Sequence, residues 1–200
     1  MDASRLFHAG SRRLQDAFGS RPLADRLEQV TLRHEFRDED RAFLEAAGFF
    51  FLATADAEGR PDCSFKGGLP GFVRVTAPDE LAFPDYDGNG MFKSLGNILV
   101  NPAVGLLFID MGEKPRRLRV NGVATVARDD PLLAGMAGAQ LVVRVRARAI
   151  FPNCPRYVPG PDGTSVYTPR PGVAPVEPAW KGFAEFRDVV PPRAEPPNEG

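Results

Sequence analysis

Apolar residues recur at helical spacing in residues 1–47 and then change to short runs and alternations from Phe49 onward. Leu14, Ala17 and Phe18 mark one helix, and Pro22 opens a second through Leu23 and Leu27. Asp38 is placed to cap a helix from Glu39 to Ala47, with Gly48 as its C′ residue. Phe49-Phe50-Phe51-Leu52-Ala53-Thr54 is too short for a helix and predicts a buried strand that ends at the turn Asp56-Ala57-Glu58-Gly59. Asp62 to Lys66 returns antiparallel, and the Gly67–Gly71 cluster breaks it. Further short strands fall at 72–75 and 80–83, followed by a loop over 84–90. A helix from Met91 to about Val100 stops at Asn101-Pro102. Strands follow at 104–109 and 118–127, with a small helix at 130–138. Residues 140–150 place Val143, Val145, Ala147 and Ala149 on one face and Arg144, Arg146 and Arg148 on the other.

About seven short strands with tight turns and no regular βαβ alternation predict a mainly β chain: a closed or partly closed antiparallel barrel with brief helices. Three regions are expected: an N-terminal helical extension over 1–40, a barrel domain over 41–157 and a proline-rich tail over 158–200. The tail reads as extended and only partly ordered, with Trp180 and Phe183 as anchors.

Composition narrows the chemistry. The chain has 200 residues, 43% of them hydrophobic, enough for one real core but cramped for two. A formal charge of −1 gives no overall field toward nucleic acid or anionic lipid, so any anion site must be a local cluster. Only two cysteines and two histidines occur, which argues against a disulfide framework and a zinc site. The start has no apolar signal region and no run is long enough to span a bilayer. A cytoplasmic, soluble protein is the expectation.

Three segments are candidates for ligand binding. Gly88-Asn89-Gly90 leads into a helix start carrying Lys93, Ser94 and Asn97, a pattern that suits a phosphate but on spacing alone reads more simply as an ordinary capped surface helix. It is not a Walker A loop. Arg117, Arg119 and Asn121 share one side of a strand, either gathering an anion or facing solvent. Arg144, Arg146 and Arg148 read more simply as a solvated face. Cys63-Ser64-Phe65-Lys66-Gly67-Gly68 ends a strand in a glycine pair that permits close approach of a ligand or makes a bulge. Cys63 and Cys154 read as packing residues and His34 as a surface or cap residue.

Taken in order, several segments resemble the pyridoxamine 5′-phosphate oxidase-like family. They are Phe50–Thr54, Gly59–Ser64, Leu81–Pro84, Asn89–Asn97, Asn101–Phe108 and Leu118–Ala124. The resemblance covers about Ala42 to Tyr157. Ile150-Phe151-Pro152-Asn153-Cys154-Pro155-Arg156-Tyr157 is similar to one branch of it. It implies a split β-barrel of about six antiparallel strands, a homodimer, and FMN at the dimer interface. By position, Lys93 and Ser94 match the pair that holds the flavin phosphate, with serine in place of a second basic residue. Asn97 matches a polar position on the same helix. Ser64 stands where many members carry a phosphate-binding arginine, so Arg117 or Arg119 is expected to supply that charge. Ser64, Phe65, Lys66 and Gly67 would offer groups to the isoalloxazine edge, and Phe83 and Pro84 would lie by the ring. Arg156 stands nearest to the missing C-terminal arginine–histidine pair of the true oxidase and could equally contact FMN. Without that pair, oxidation of pyridoxamine phosphate is not expected.

The resulting expectation is an FMN-dependent oxidoreductase acting on a small molecule. Alternatives are a non-catalytic flavin carrier, sensor or electron-transfer module, or a barrel that binds haem or F420. Nucleic acid and membrane are not expected partners.

Overall fold

Seven antiparallel strands and four α-helices carry the chain in the computed structural model, which describes residues 4, 6–160, 163–174 and 176–192. The chain divides into two compact units, Arg33–Ser165 and Met1–Leu32 with Val166–Gly200.

In the larger unit the strands are β1 Phe49–Ala55, β2 Pro61–Gly67, β3 Arg74–Ala77, β4 Glu80–Tyr86, β5 Ala103–Asp110, β6 Arg116–Ala127 and β7 Ala139–Pro152. They form one sheet in the order β2-β1-β5-β6-β7-β4-β3, the mainly antiparallel split-barrel architecture. The resemblance implied about six strands; the seventh is the short edge strand β3.

Register explains the core. Leu52, Leu106, Val120 and Ile150 stand opposite one another across β1, β5, β6 and β7, and each is at most 1% exposed. The neighbouring row is Phe65, Phe51, Leu107, Arg119 and Phe151, on the opposite face because successive side chains alternate. The apolar run of β1 is therefore not buried throughout. Phe50, Leu52 and Thr54 point inward, whereas Ala53 is exposed and Phe49 and Phe51 are half-buried. Phe50 centres the core, with ring centroids 4.9 Å from Phe83 and 4.8 Å from Phe108. Burying each such ring stabilises the fold by about 1.5–3 kcal/mol.

The alternation expected over 140–150 breaks at one point. Asn121 faces Ala149 while Gly122 faces Ala147, so Arg148 is an extra residue on β7. Val143, Val145 and Ala147 point inward, but beyond the bulge Ala149 shares a face with Asn121 and Ile150 takes the inward place. Gly122 is needed there, because a Cβ would lie 2.3 Å from the Arg146 carbonyl oxygen. The carbonyl of Arg148 meets His34 Nδ1 at 2.7 Å.

Helix α3 spans Asp38–Ala46. Its cap differs from expectation. The Asp40 carboxylate, not Asp38, accepts from the Arg37 backbone N–H and also from Arg33 Nη2 at 2.7 Å. Asp38 is the first helical residue, and the helix ends by turning extended at Ala47 rather than through a left-handed Gly48. Helix α4, Lys93–Val100, packs on β1, β2 and β6. The small helix expected at 130–138 is a 3-10 turn, Pro131–Gly135.

In the smaller unit, α1 is Ala9–Ala17 and α2 is Arg21–Thr31, with Pro22 in the first turn of α2. Neither helix buries a residue; Leu14 and Phe18 are exposed. Trp180 packs edge-on against the buried Phe186, while Phe183 is exposed, so Phe186 takes the anchoring place expected of Phe183. The tail reading over 193–200 falls outside the described residues. Among the described residues no helix is long and apolar enough to cross a membrane, and no group of three or more His, Cys, Asp or Glu could hold a metal.

Candidate functional site

The seam of the barrel is set by unequal strand lengths. Strand β3 pairs with β4 only as far as Ala82, so Phe83 to Tyr86 have no partner on that side. Pro84, which lacks a backbone donor, is tolerated on this open edge while Val142 of β7 faces it on the other. The end of β4, the end of β2 and the start of α4 surround a cavity of about 590 Å³.

The start of α4 is shaped for an anion. Gly90 adopts a positive φ of 73°, and Phe92 follows in the left-handed region at φ 48°, a strained setting for a bulky residue. Phe92 is the N-cap and supplies no side-chain cap, and Lys93, Ser94 and Leu95 of the first turn line the cavity. Lys93 Nζ lies 3.5 Å from Asn97 Oδ1 and pairs with no carboxylate among the described residues.

Three alternate residues of β2 complete this wall. Asp62, Ser64 and Lys66 lie at i, i+2 and i+4 on one face. Ser94 Oγ donates to Asp62 Oδ2 at 3.0 Å and lies 2.9 Å from Ser64 Oγ. Lys66 Nζ stands 3.6 Å from Asp85 Oδ1. A phosphate bound here would take the Ser94 proton that now serves Asp62. The hydrogen-bonding groups therefore fit a phosphate monoester, but the carboxylates Asp62, Asp85 and Asp87 outnumber the cations Lys66 and Lys93, so the lining is net negative.

The residues singled out from sequence separate into three places. Ser64, Phe65, Lys66, Gly67, Pro84, Lys93 and Ser94 line the cavity. Phe65 does so from the outer face of the sheet, stacked on Phe49 at 5.4 Å and 62% exposed. Gly67 makes room for that ring, since a Cβ would meet it at 2.7 Å. Asn97 and Phe83 belong to the interior instead. Asn97 Nδ2 donates to Thr54 Oγ1 at 3.0 Å, and Phe83 is fully buried.

Arg117, Arg119 and Arg156 gather elsewhere, where β6 begins and the chain leaves β7. The Asn153 N–H donates to the Arg117 carbonyl at 3.2 Å and draws that segment alongside. The Nε atoms of Arg117 and Arg156 are buried without a hydrogen-bond partner. Burial pushes the Arg117 pKa below its usual value; Cys154 acts against the shift, and the neighbouring Arg119 and Arg156 cations add to it. The group remains charged at neutral pH. Tyr157, next in the chain, has φ 66°.

Asp62 and Asp85 escaped the sequence reading. The alternation Asp62-Ser64-Lys66 was a usable signal for the first. Nothing local marked the second, which meets Lys66 only through the fold. A smaller cavity of about 330 Å³, lined by Phe92, Arg128, Gln140 and Leu141, shares Phe92 and Gln140 with the larger one.

A family model described as pyridoxamine 5′-phosphate oxidase matches residues 36–168. Among solved structures, HupZ of Group A Streptococcus is 17% identical, with 65% of this chain and 98% of that one covered and a TM-score of 0.47. HutZ of Vibrio cholerae, described as a heme storage protein, is 20% identical over 58% and 94%, with a TM-score of 0.43. An FMN-binding protein of Syntrophomonas wolfei is 9% identical over 72% and 94%, with a TM-score of 0.45. No curated protein matches the chain.

Proposed function

The chain belongs to the pyridoxamine 5′-phosphate oxidase family, and from that premise we propose that it is an FMN-binding oxidoreductase that works as a homodimer on a small molecule. The observation that carries this reading is the cavity at the barrel seam, where the uncapped start of α4, Lys93 and the Ser64–Ser94 hydroxyl pair converge. Lys93 and the first N–H groups of α4 would hold the phosphate. Ser94 would turn its proton from Asp62 to the ligand. Lys66, Gly67 and Pro84 would border the ring. Bound FMN would supply hydride or electron transfer, with the protein contributing binding, orientation and electrostatics.

The second copy is argued from the outer sheet face. Phe49, Phe51 and Phe65 form an aromatic cluster there, beside Ala53, Gly105 and Leu107. A low-relief face of this kind suits an isologous contact.

Purified protein should show a flavin absorption spectrum, or acquire one on addition of FMN, and should sediment as a dimer. Protein that is colourless and takes up no FMN rejects the reading, and mass spectrometry of any extracted ligand separates flavin from haem or F420. Bound FMN that no nicotinamide donor reduces would leave a flavin-binding module rather than an enzyme.

A further inference from the structure

We propose that the smaller cavity beside the seam, with Arg128 on its wall, takes the carboxylate of an organic-acid substrate. The inference deepens the flavin reading by naming a substrate class, and it rests on that reading for the reaction. The cavity measures about 330 Å³ and is lined by Phe92, Arg128, Gln140 and Leu141. That volume lies at the small end of ligand-binding clefts, roughly 300–1,000 Å³. Phe92 and Gln140 also line the seam cavity, so they stand where the two spaces meet.

Both residues sit at irregular backbone. Phe92 holds a left-handed φ of 48°. On β7, Leu141 pairs with Asp85 and Ala139 with Tyr86, which leaves Gln140 as an extra, unpaired residue. A bulge of this kind re-aims a side chain. Core packing accounts for neither departure, because both side chains are exposed. Two irregularities on different elements therefore converge on one junction between cavities.

Charge decides what the smaller cavity would hold. In the seam the carboxylates outnumber the lysines, so a further anionic group is disfavoured there. Arg128 is the one charged residue lining the smaller space. It follows directly on β6, whose last residue, Ala127, pairs with Val142 of β7. The nearby Asp130 is taken by Arg144, and no described carboxylate forms an ion pair with Arg128. A planar guanidinium matches a carboxylate through two parallel N–H donors, and the Gln140 carboxamide offers a further donor. An acid held this way would reach past Phe92 and Gln140 into the seam.

The test is calorimetric titration of the purified full-length chain, with and without FMN. The probes are benzoate and succinate, with benzamide as the neutral counterpart of benzoate and phenyl phosphate as the competing anion. Benzoate should bind more tightly than benzamide. Arg128→Gln should weaken both acids about tenfold or more and leave benzamide and FMN unchanged. Arg128 is exposed, so folding is not at risk. Gln140→Ala should weaken the acids in the same direction by a smaller factor. Acid binding that depends on Arg128 in protein that takes up no FMN keeps this pocket and rejects the flavin reading alone. Uptake of FMN with no acid binding, or with acid affinities that Arg128→Gln leaves unchanged, overturns the pocket and keeps the flavin. Phenyl phosphate that binds more tightly than benzoate overturns the carboxylate assignment, and protein that binds neither FMN nor acid overturns both readings.

Discussion

Arg144 and the pair Arg117–Arg156 belong to the same sheet and its exit, yet they have opposite fates. Arg144 grips Asp130 with two N–H groups and donates to Glu80 at 2.7 Å. These contacts raise its pKa, the Asp130 hydrogen bond contributing most. Arg117 and Arg156 each bury an Nε with nothing to receive it, and Arg117 is pushed the other way. The same residue type thus serves two ends. A satisfied arginine ties strands together, whereas an unsatisfied one adds nothing of the kind to the fold. In sequence the two stretches look alike, each an arginine on alternate positions of a strand.

The comparison breaks first at Arg144. Arg144→Ala leaves Asp130 and Glu80 unmatched, and we expect a loss of about 2–3 kcal/mol in urea unfolding, below the full range for buried pairs because Arg144 keeps some solvent contact. A loss below about 0.5 kcal/mol would place Arg144 among ordinary surface charges.

Lys93→Ala tests the cavity rather than the scaffold. It should weaken FMN by roughly 1.5–3 kcal/mol, the scale of a charge-assisted hydrogen bond, without changing the midpoint of unfolding. Equal FMN affinity in both proteins would remove Lys93 from the phosphate site. Asp62→Asn should act in the opposite sense and tighten FMN by about 0.5–1 kcal/mol, since it removes a carboxylate from the same wall. Weaker FMN binding would mean that Asp62 orients Ser94 for the ligand.

A pH titration sharpens the same contrast. Hydrogen bonding from Arg144 holds Asp130 below its ordinary value. For Glu80 desolvation acts upward, but hydrogen bonds from Thr76 and Arg144 leave the net shift downward. Carboxylates depressed in the folded state stabilise it above their unfolded pKa and lose that contribution as pH falls through the folded one. Stability should therefore decline below about pH 4, and Asp130→Asn should flatten that decline in thermal melts at pH 2–5. The smallest effect is expected at the orphaned pair. Arg117→Gln should leave stability unchanged or raise it by up to about 1 kcal/mol, since it relieves a buried cation with no partner. A clear loss would show that Arg117 holds the fold together.

Strand and helix positions were largely legible because alternation and breakers are local signals. The start of α4 was found from Gly88-Asn89-Gly90 and Lys93, and its end from Asn101-Pro102. Facing was harder. The run at Phe49–Thr54 hid an outward side, and the phase of β7 could not be read past Arg148, because a bulge is decided by the strand opposite. The site divided in the same way. Ser64, Lys66, Lys93 and Ser94 line one cavity, although spacing grouped them only within β2 and within α4. Phe83 turned inward, where its ring packs against Phe50 in the core. The partners of Arg144 were hidden because Glu80 and Asp130 reach it only through the pairing of β4 with β7 and the turn at Pro131.

The four-residue length of β3 has a consequence for how a ligand gets in. From Phe83 to Tyr86 one edge of β4 carries no ladder, so opening the seam there breaks no interstrand hydrogen bond. A ligand entering there would leave the barrel's ladders intact. Amides of β1, β5 and β6 should stay equally protected from exchange whether or not a ligand comes and goes.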